Sequence, residues 1–239
     1  MSEKRNGDAL IATPSKSQTR RERALATRRR MVGAAYRLFC EWGYVATTME
    51  AIAREADVAV PTLYFTFRTK GAILGEALGA AVMGFDEPVG PEDSSWYEEF
   101  QAEPDARRAL RMLVENATPI LRRVGPLMAA TYAAASDPEV ASVYEVGEKR
   151  REEGYRAIVQ MLVRKGGLRP GIRVARATDI LLVLLSPQLF DALANGRGWS
   201  VAECNRWLVE VLSQQLLLPR SEHVSRARRG VHVRRSPAA

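Results

Sequence analysis

Residues 60–70, with the sequence VPTLYFTFRTK, carry side chains that could contact the bases of a DNA duplex. In a helix, Leu63 and Phe67 would share one buried face because four residues separate them. Methyl and hydroxyl groups on the opposite side suit thymine methyls and base edges in a major groove. The residues that we predict to contact bases are Val60, Pro61, Thr62 and Thr66.

Arginines precede this segment at 20, 21, 23 and 28–30. A basic arm beside a DNA-binding helix can enter a minor groove or lie along phosphates, and we include Arg30 among the predicted DNA contacts. Non-specific attraction to phosphate is the alternative account of most of these arginines.

Three short helices must position these residues. The first has an apolar stripe at helical spacing, formed by Met31, Ala34, Ala35, Leu38, Phe39 and Trp42. Gly43 is suited to end it. Thr47 and Glu50 have the spacing of a capping box that begins the second helix, whose stripe is Met49, Ile52, Ala53 and Ala56. A third helix starts near Pro61, so the last two helices form a helix-turn-helix unit.

The segment GYVATTMEAIAREADVAVPTLYFTFRTKGAIL, at 43–74, resembles the DNA-binding domain of the TetR/AcrR (tetracycline-repressor) family of transcriptional regulators. The matching residues are Gly43, Thr47, Thr48, Ile52, Ala53, Ala56, Val58, Thr62, Leu63, Tyr64, Phe67 and Lys70. Asp57 replaces the usual turn glycine but tolerates a left-handed conformation. Ala59 replaces a capping serine. The resemblance implies that Thr48, Tyr64 and Lys70 contact phosphates.

The charge distribution agrees with a polyanionic partner. The chain has a net charge of +7. Residues 1–70 contain 13 Lys and Arg against 7 Asp and Glu, and residues 219–239 contain 6 against 1, whereas residues 71–218 are net acidic. Basic charge concentrated in one small domain is typical of nucleic-acid binding, although the last 21 residues could simply be a solvated tail.

Other functional classes find little support. No nucleophile with a nearby base, paired-cysteine motif or glycine-rich phosphate loop occurs, and His223 and His232 lie in the basic tail without metal-ligand spacing. We therefore expect no enzyme, no cofactor and no metal. The two cysteines, Cys40 and Cys204, suggest a reducing compartment. The longest apolar run, 180–185, is too short to span a membrane, so we expect a cytoplasmic protein.

The remainder of the chain predicts more helices, and the fold class is all-α. A fourth helix is expected from Thr69 to about Phe85, and others at roughly 105–123, 126–135, 138–165, 174–194 and 201–217. The predicted domains are a flexible basic arm (1–22), the helix-turn-helix domain (23–70), a ligand-binding and dimerisation domain (71–218) and a flexible basic tail (219–239).

The resemblance implies that residues 71–218 bind an effector and dimerise. The last two helices are more apolar than surface helices need, and a four-helix interface between two subunits would bury them. The predicted interface residues are Leu181, Leu185, Leu189, Trp207 and Val211. Adaptable methionine and aromatic side chains favour an apolar or aromatic effector, with candidate lining residues Met112, Met128, Tyr132, Tyr144, Met161 and Phe190.

These observations predict a dimeric DNA-binding regulator, most simply a repressor that leaves a palindromic operator when a small molecule binds. A constitutive or architectural DNA-binding dimer without an effector is the alternative. The operator, the effector, the regulated genes and the choice between repression and activation are not determined by the sequence.

Overall fold

A computed structural model describes residues 16–85 and 88–219, with side chains from residue 20 onward. Within that part the chain is helical, which confirms the all-α class, and its one β-type pairing is an isolated antiparallel bridge between Leu168 and Leu217. Most of the predicted arm and tail, with His223 and His232, lies outside the described residues. The helices are α1 (Lys16–Ala46), α2 (Met49–Glu55), α3 (Val60–Phe67), α4 (Lys70–Met83), α5 (Ser95–Ala102), α6 (Ala106–Ala133), α7 (Pro138–Arg164), α8 (Val174–Leu184), α9 (Pro187–Ala194) and α10 (Val201–Leu216).

Helix α1 begins earlier than predicted. It starts at Lys16, so residues 16–22, which we predicted to be part of a flexible arm, are helical. Its regular part ends at Gly43, where φ is 80° and ψ is 167°, as expected of a glycine at a helix end. The predicted stripe is buried except for Trp42, which is 46% exposed. Tyr44 takes that buried place instead, with its ring centroid 5.5 Å from that of Phe39.

The capping box predicted at the start of α2 is absent from the structure. Thr48, not Thr47, is the N-cap, and its hydroxyl oxygen accepts a hydrogen bond from the Ala51 amide at 3.1 Å. Thr47 is completely buried, and its hydroxyl oxygen lies 2.8 Å from the Gly43 carbonyl oxygen and 3.1 Å from that of Leu38, the two acceptors available to its one hydrogen. The two adjacent threonines therefore have different roles. Thr47 connects the start of α2 to the end of α1, and Thr48 accepts a hydrogen bond from a free backbone amide of α2.

Helix α6 runs through two prolines, and the second of them stands at the break that we predicted between helices at 105–123 and 126–135. It is 28 residues long and contains Pro119 and Pro126, both exposed. Prolines on the solvent side remove hydrogen bonds from the exposed part of the helix, while the opposite face buries residues such as Leu113 and Leu127. This continuous apolar face stabilises one helix, where the helix-breaking residues Gly125 and Pro126 predicted two.

The segment predicted as one helix over 174–194 is two helices. Helix α8 ends at Leu184, and α9 begins after Ser186, whose hydroxyl accepts a hydrogen bond from the Leu189 amide. By length and composition Val174–Ala194 could cross a membrane, a test that core helices of soluble proteins also pass. One third of it is buried within the protomer.

The core consists of several clusters. The largest N-terminal cluster joins α1–α4 and includes Leu127, Ala134 and Val140 from the region that follows. A second cluster, centred on residues such as Leu110, Leu162 and Leu212, joins α5–α8 and α10. The helix-turn-helix unit (α1–α3) therefore shares its core with α4, α6 and α7, as expected of a unit too small to be stable alone.

Two polar contacts join the helix-turn-helix unit and α4 to α6 and α7. At the first, the Gly71 amide donates to Oε2 of Glu139 at 3.1 Å, and a Cβ atom at position 71 would lie 2.6 Å from that oxygen. At the second, the Tyr36 hydroxyl donates to the Arg123 carbonyl at 2.8 Å, while the Arg123 guanidinium donates to the Ala81 carbonyl at the end of α4. Both ends of α4 are thus held by residues of the later helices.

Candidate nucleic-acid interface

The turn between α2 and α3 is tight and closed by backbone hydrogen bonds. The Val58 amide donates to the Ala53 carbonyl at 3.0 Å, and Asp57 has a φ of 52°, the left-handed conformation that its side chain tolerates. Helix α3 starts after Ala59, which supplies no side-chain cap, and has Pro61 in its first turn. The predicted helix-turn-helix geometry is confirmed.

Two side chains anchor α3. Leu63 is completely buried and Phe67 is 4% exposed, and both belong to the N-terminal core cluster. The Arg28 guanidinium carbon lies 4.6 Å from the centre of the Phe67 ring, where a cation is attracted by the face of the aromatic ring. The anchors are those that the spacing predicted, and they fix which side of α3 faces solvent.

The exposed side of α3 differs in part from the prediction. Pro61 and Thr62 are exposed, as expected, but Val60 is half-buried and packs against the N-terminal core. Thr66 is also half-buried, and its hydroxyl donates to the Thr62 carbonyl at 2.8 Å. Val60 therefore contacts the N-terminal core, because the first turn of α3 packs against it.

Phe65 is the residue that the sequence analysis missed. It lies on the recognition helix and is 89% exposed, more than any other large apolar side chain described. Its spacing of four residues from Pro61 and three from Thr62 places the three on one face, and this spacing could have revealed it. Its phenyl ring is therefore available to contact a partner that meets the outer face of α3.

All three residues predicted to contact phosphate have partners within the protein, and that of the Thr48 hydroxyl is the Ala51 amide. Thr48 is exposed at the N-terminus of α2, and the Tyr64 hydroxyl lies 3.5 Å from Oε1 of Glu50. Lys70 donates to the carbonyls of Tyr44 and Thr47, at 2.8 and 3.0 Å. Two of the three ammonium hydrogens of Lys70 are therefore used within the protein.

Burial lowers the pKa of Lys70, and the nearby charge of Asp137 opposes that shift. Its ammonium nitrogen lies 4.2 Å from the centre of the Tyr44 ring. Lys70 thus tightens the loop between α1 and α2 and leaves one hydrogen for another acceptor.

The arginines of α1 have structural partners as well. Arg30 donates through Nε to the Ala56 carbonyl at 3.3 Å, which satisfies the C-terminal end of α2. Arg28 forms an ion pair with Glu76 on α4 at 3.0 Å. Arg29 is exposed, and residues 1–15 of the predicted arm lie outside the described part. The structure therefore uses Arg30, which we predicted to contact DNA, as a connection between α1 and α2.

Five of the six predicted effector-lining residues are distributed over three clusters of the core. Met112 and Met161 belong to the second core cluster, Met128 and Tyr144 to a third, and Phe190 to a fourth. The Tyr132 and Tyr144 rings are in contact, with centroids 5.4 Å apart. Burial raises the pKa of Tyr132 far above its usual value, so its phenol remains neutral. None of the six lines the cavity at the beginning of α6 or the one between Arg29 and Phe85.

The predicted dimer contacts divide into buried and half-buried residues. Leu181 and Leu185 are completely buried in the protomer's own core, so their prediction as subunit contacts is wrong. Leu189, Trp207 and Val211 are half-buried. The apolar residue that α8 exposes is Val183, at 66%. The inward and outward sides of α8 are both apolar, and the sequence pattern alone could not separate them.

The geometry defines a helix-turn-helix unit of the kind that docks a helix in a DNA groove. Residues 32–77 match the profile of the bacterial regulatory proteins of the tetR family. A stretch of 69 residues is 39% identical to the HTH-type transcriptional repressor KstR of Mycolicibacterium smegmatis, and the match covers 29% of this chain and 34% of that protein. The chain thus spans about a third of the length of the curated relative that it matches.

Solved structures share the fold over nearly their whole length. NalD of Pseudomonas aeruginosa, the secondary repressor of a multidrug efflux pump, aligns with a TM-score of 0.62 at 21% identity, over 81% of this chain and 98% of that one. FadR of Bacillus subtilis, solved with stearoyl-CoA, aligns with a TM-score of 0.63 at 17% identity, over 77% and 96%. A protein of Saccharomonospora viridis in complex with choline aligns with a TM-score of 0.62 at 23% identity, over 80% and 98%. The likeness to the tetR family of bacterial regulatory proteins is thus found in the sequence of residues 32–77, while the likeness to the solved structures extends over most of the chain as a shared fold.

Proposed function

We propose that this protein is a transcriptional regulator that represses its target by binding a palindromic DNA operator as a homodimer. The observation that carries the proposal is the arrangement of α3: Leu63 and Phe67 fix its inner side, while Pro61, Thr62 and Phe65 project outward. A short helix with a rigid base and an uncommitted outer face is what insertion in a major groove requires.

The base contacts that we propose come from the outer face of α3. Phe65 and Pro61 offer apolar surface, and Thr62 offers both a methyl group and a hydroxyl. Apolar side chains discriminate thymine through its methyl group. We therefore expect an operator half-site in which thymine methyls carry part of the specificity.

The phosphate contacts that we propose flank this helix. The exposed Thr48 hydroxyl and Tyr64 hydroxyl are able to donate to phosphate oxygens, and Lys70 has one ammonium hydrogen beyond its two carbonyl partners. Such contacts position the protein without distinguishing bases. Their loss should weaken binding to all sequences equally.

The homodimer that we propose uses the outward sides of α8 and α10. Val183 is 66% exposed, and Ile180 and Leu184 on the same side of α8 are half-buried, as are Trp207 and Val211 on α10. Only a third of the apolar segment Val174–Ala194 is buried within one protomer. Because a surface of this kind is usually covered, a second copy of the same surface is the simplest partner.

A small-molecule effector is proposed on the basis of the relatives, since one structural neighbour was solved with choline and another with stearoyl-CoA. The alternative is a DNA-binding dimer without an effector. Release of bound DNA by any small molecule would decide for the effector. In either case the protein acts in the bacterial cytoplasm, where its DNA target lies.

The experiment that tests DNA recognition selects bound duplexes from a random pool and then measures binding by gel shift. We expect a palindromic sequence, and Phe65→Ala should weaken its binding about tenfold, which corresponds to the lower part of the range for one lost base contact. Val163→Ala is the matched control, because it shortens an apolar side chain that is 47% exposed on α7. Selection without any enriched sequence, or equal effects of the two variants, would refute the proposal.

The dimer is tested by analytical ultracentrifugation. A charge within an apolar subunit contact is strongly unfavourable, so Val183→Asp should shift the protein from dimer to monomer. Val146→Asp, at a 50% exposed position on α7, is the control that should leave the dimer intact. A wild-type protein that sediments as a monomer at micromolar concentration would contradict the proposed assembly.

A further inference from the structure

A cavity of about 370 Å³ lies at the beginning of α6 and has no role in the function proposed above. Its volume falls in the range of small-molecule sites. Three of its eight lining residues are arginines of one helix, and the remaining walls are mainly apolar. The lining residues are Asp105, Ala106, Arg107, Arg108, Arg111, Gly167, Leu217 and Leu218.

Four arginines of the described chain form ion pairs, and the three at this cavity are among those that do not. Arg28, Arg37, Arg151 and Arg156 each form an ion pair with a glutamate. Within the described residues, by contrast, Arg107, Arg108 and Arg111 have no carboxylate within 4.0 Å of their guanidinium nitrogens. Three uncompensated guanidinium groups around one cavity make it strongly attractive to an anion.

The one acidic residue of the lining is already used. An Oδ1 atom of Asp105 accepts a hydrogen bond from the Arg108 amide at 2.8 Å and caps α6. The carboxylate keeps its negative charge, so the lining has three guanidinium groups against one carboxylate, a net charge of +2.

The opposite wall is rigidly built. Leu218 donates through its amide to the Gly167 carbonyl at 3.0 Å, and the Arg107 guanidinium donates to the Leu218 carbonyl at 3.2 Å. A Cβ atom at position 167 would lie 2.1 Å from that of Ala106, so only glycine allows this approach. The cavity is therefore formed before any ligand arrives, which lowers the cost of binding.

We infer that this cavity binds a phosphorylated small molecule. Guanidinium groups form paired hydrogen bonds with phosphate oxygens, and the surfaces of Ala106, Leu217 and Leu218 can contact an organic group attached to the phosphate. Residues 220–239, which contain six arginines and one glutamate, lie outside the described part of the chain.

The test titrates the full-length protein with pyrophosphate by calorimetry at constant ionic strength. We expect saturable binding with one site per protomer. The variant Arg108→Gln with Arg111→Gln should weaken it at least tenfold, because two guanidinium groups that form charge-assisted hydrogen bonds with phosphate oxygens are removed. The control variant, Arg122→Gln with Arg150→Gln, removes the same charge at exposed positions on α6 and α7 and should leave the affinity unchanged.

Absence of saturable binding at millimolar pyrophosphate would overturn the inference. An equal loss of affinity in both double variants would also overturn it, because binding would then depend on the overall charge of the protein. Unchanged affinity in both would overturn it as well, because binding would then be assigned to the basic tail. Succinate at the same ionic strength should bind more weakly, and equal affinity for the two anions would overturn the assignment to phosphate. Circular dichroism of each variant verifies the helical fold.

Discussion

The helix-turn-helix unit and the later helices α5–α10 differ in what determines the ends of their helices. In the helix-turn-helix unit, Gly43, Thr48 and Asp57 mark each end locally, and each adopts the conformation that its residue type favours. In the later helices, α6 continues through Pro119 and Pro126. In short helices, single residues determine where the helix begins and ends. In a long helix such as α6, the burial of a continuous apolar face outweighs the helix-breaking effect of single residues.

The cores of the two regions differ in the same way. The N-terminal cluster draws most members from positions 31–77. The second cluster combines positions from Phe100 to Leu217, so its members meet only through tertiary packing. A change in the helix-turn-helix unit should therefore have local consequences, except where α6 or α7 contacts it.

The largest expected effect separates the two sides of α3. Leu63→Ala removes a completely buried side chain and should lower the free energy of unfolding by about 2–5 kcal/mol. Phe65→Ala, two residues away and 89% exposed, should change it by less than about 0.5 kcal/mol. Urea denaturation followed by circular dichroism measures both. Similar losses in the two variants would mean that Phe65 is packed in solution, against its proposed role.

A smaller effect tests the junction between α4 and α7. Gly71→Ala places a methyl group 2.6 Å from Oε2 of Glu139 and should cost about 1–3 kcal/mol of stability. Gly75→Ala is the matched control: it is one turn further along α4, its Cβ would lie 3.7 Å from Val143, and it should be neutral or slightly stabilising.

The junction is confirmed if the Gly71→Ala loss is smaller in a Glu139→Ala background, as a double-mutant cycle would measure. If the losses are simply additive, α7 does not clamp α4 at this point.

Leu63 and Gly71 also illustrate what a sequence can predict and what it cannot. Leu63 was identifiable because its partner Phe67 is four residues away on the same helix. The close contact between Gly71 and Glu139 joins residues that are 68 positions apart in the sequence. No local sequence pattern predicts such a contact. The same holds for Leu181, whose apolar character is equally compatible with a protomer core and with a subunit contact.

The corrected cap of α2 gives a still smaller effect. Thr48→Ala should cost about 1 kcal/mol because the Ala51 amide loses its partner. Glu50→Ala should cost less, because the reciprocal bond of a capping box is not formed and Glu50 instead faces Tyr64. Thermal denaturation of both variants makes the comparison. A larger loss for Glu50→Ala would restore the capping box predicted at Thr47.

The smallest effect concerns Tyr44, a residue of the helix-turn-helix unit whose titration depends on α7. Burial raises the pKa of Tyr44 to about 12, and the negative charges of Asp137 and Glu139 add to the shift. The folded state therefore holds the phenolic proton more tightly than the unfolded state, whose pKa is near 10. The resulting stability is fully present below pH 10 and is lost as the pH rises from 10 toward 12.

Tyr44→Phe removes this loss. Between pH 9 and 11 the wild-type protein should lose about 1 kcal/mol more stability than the variant. Lys70, whose pKa is lowered by burial, gives up its proton more readily when folded, so its contribution to stability changes with pH in the opposite sense. Urea denaturation of both proteins at the two pH values measures the difference. Equal pH dependence in wild type and Tyr44→Phe would mean that water reaches the Tyr44 phenol and that the contact of the helix-turn-helix unit with α7 is looser than its geometry indicates.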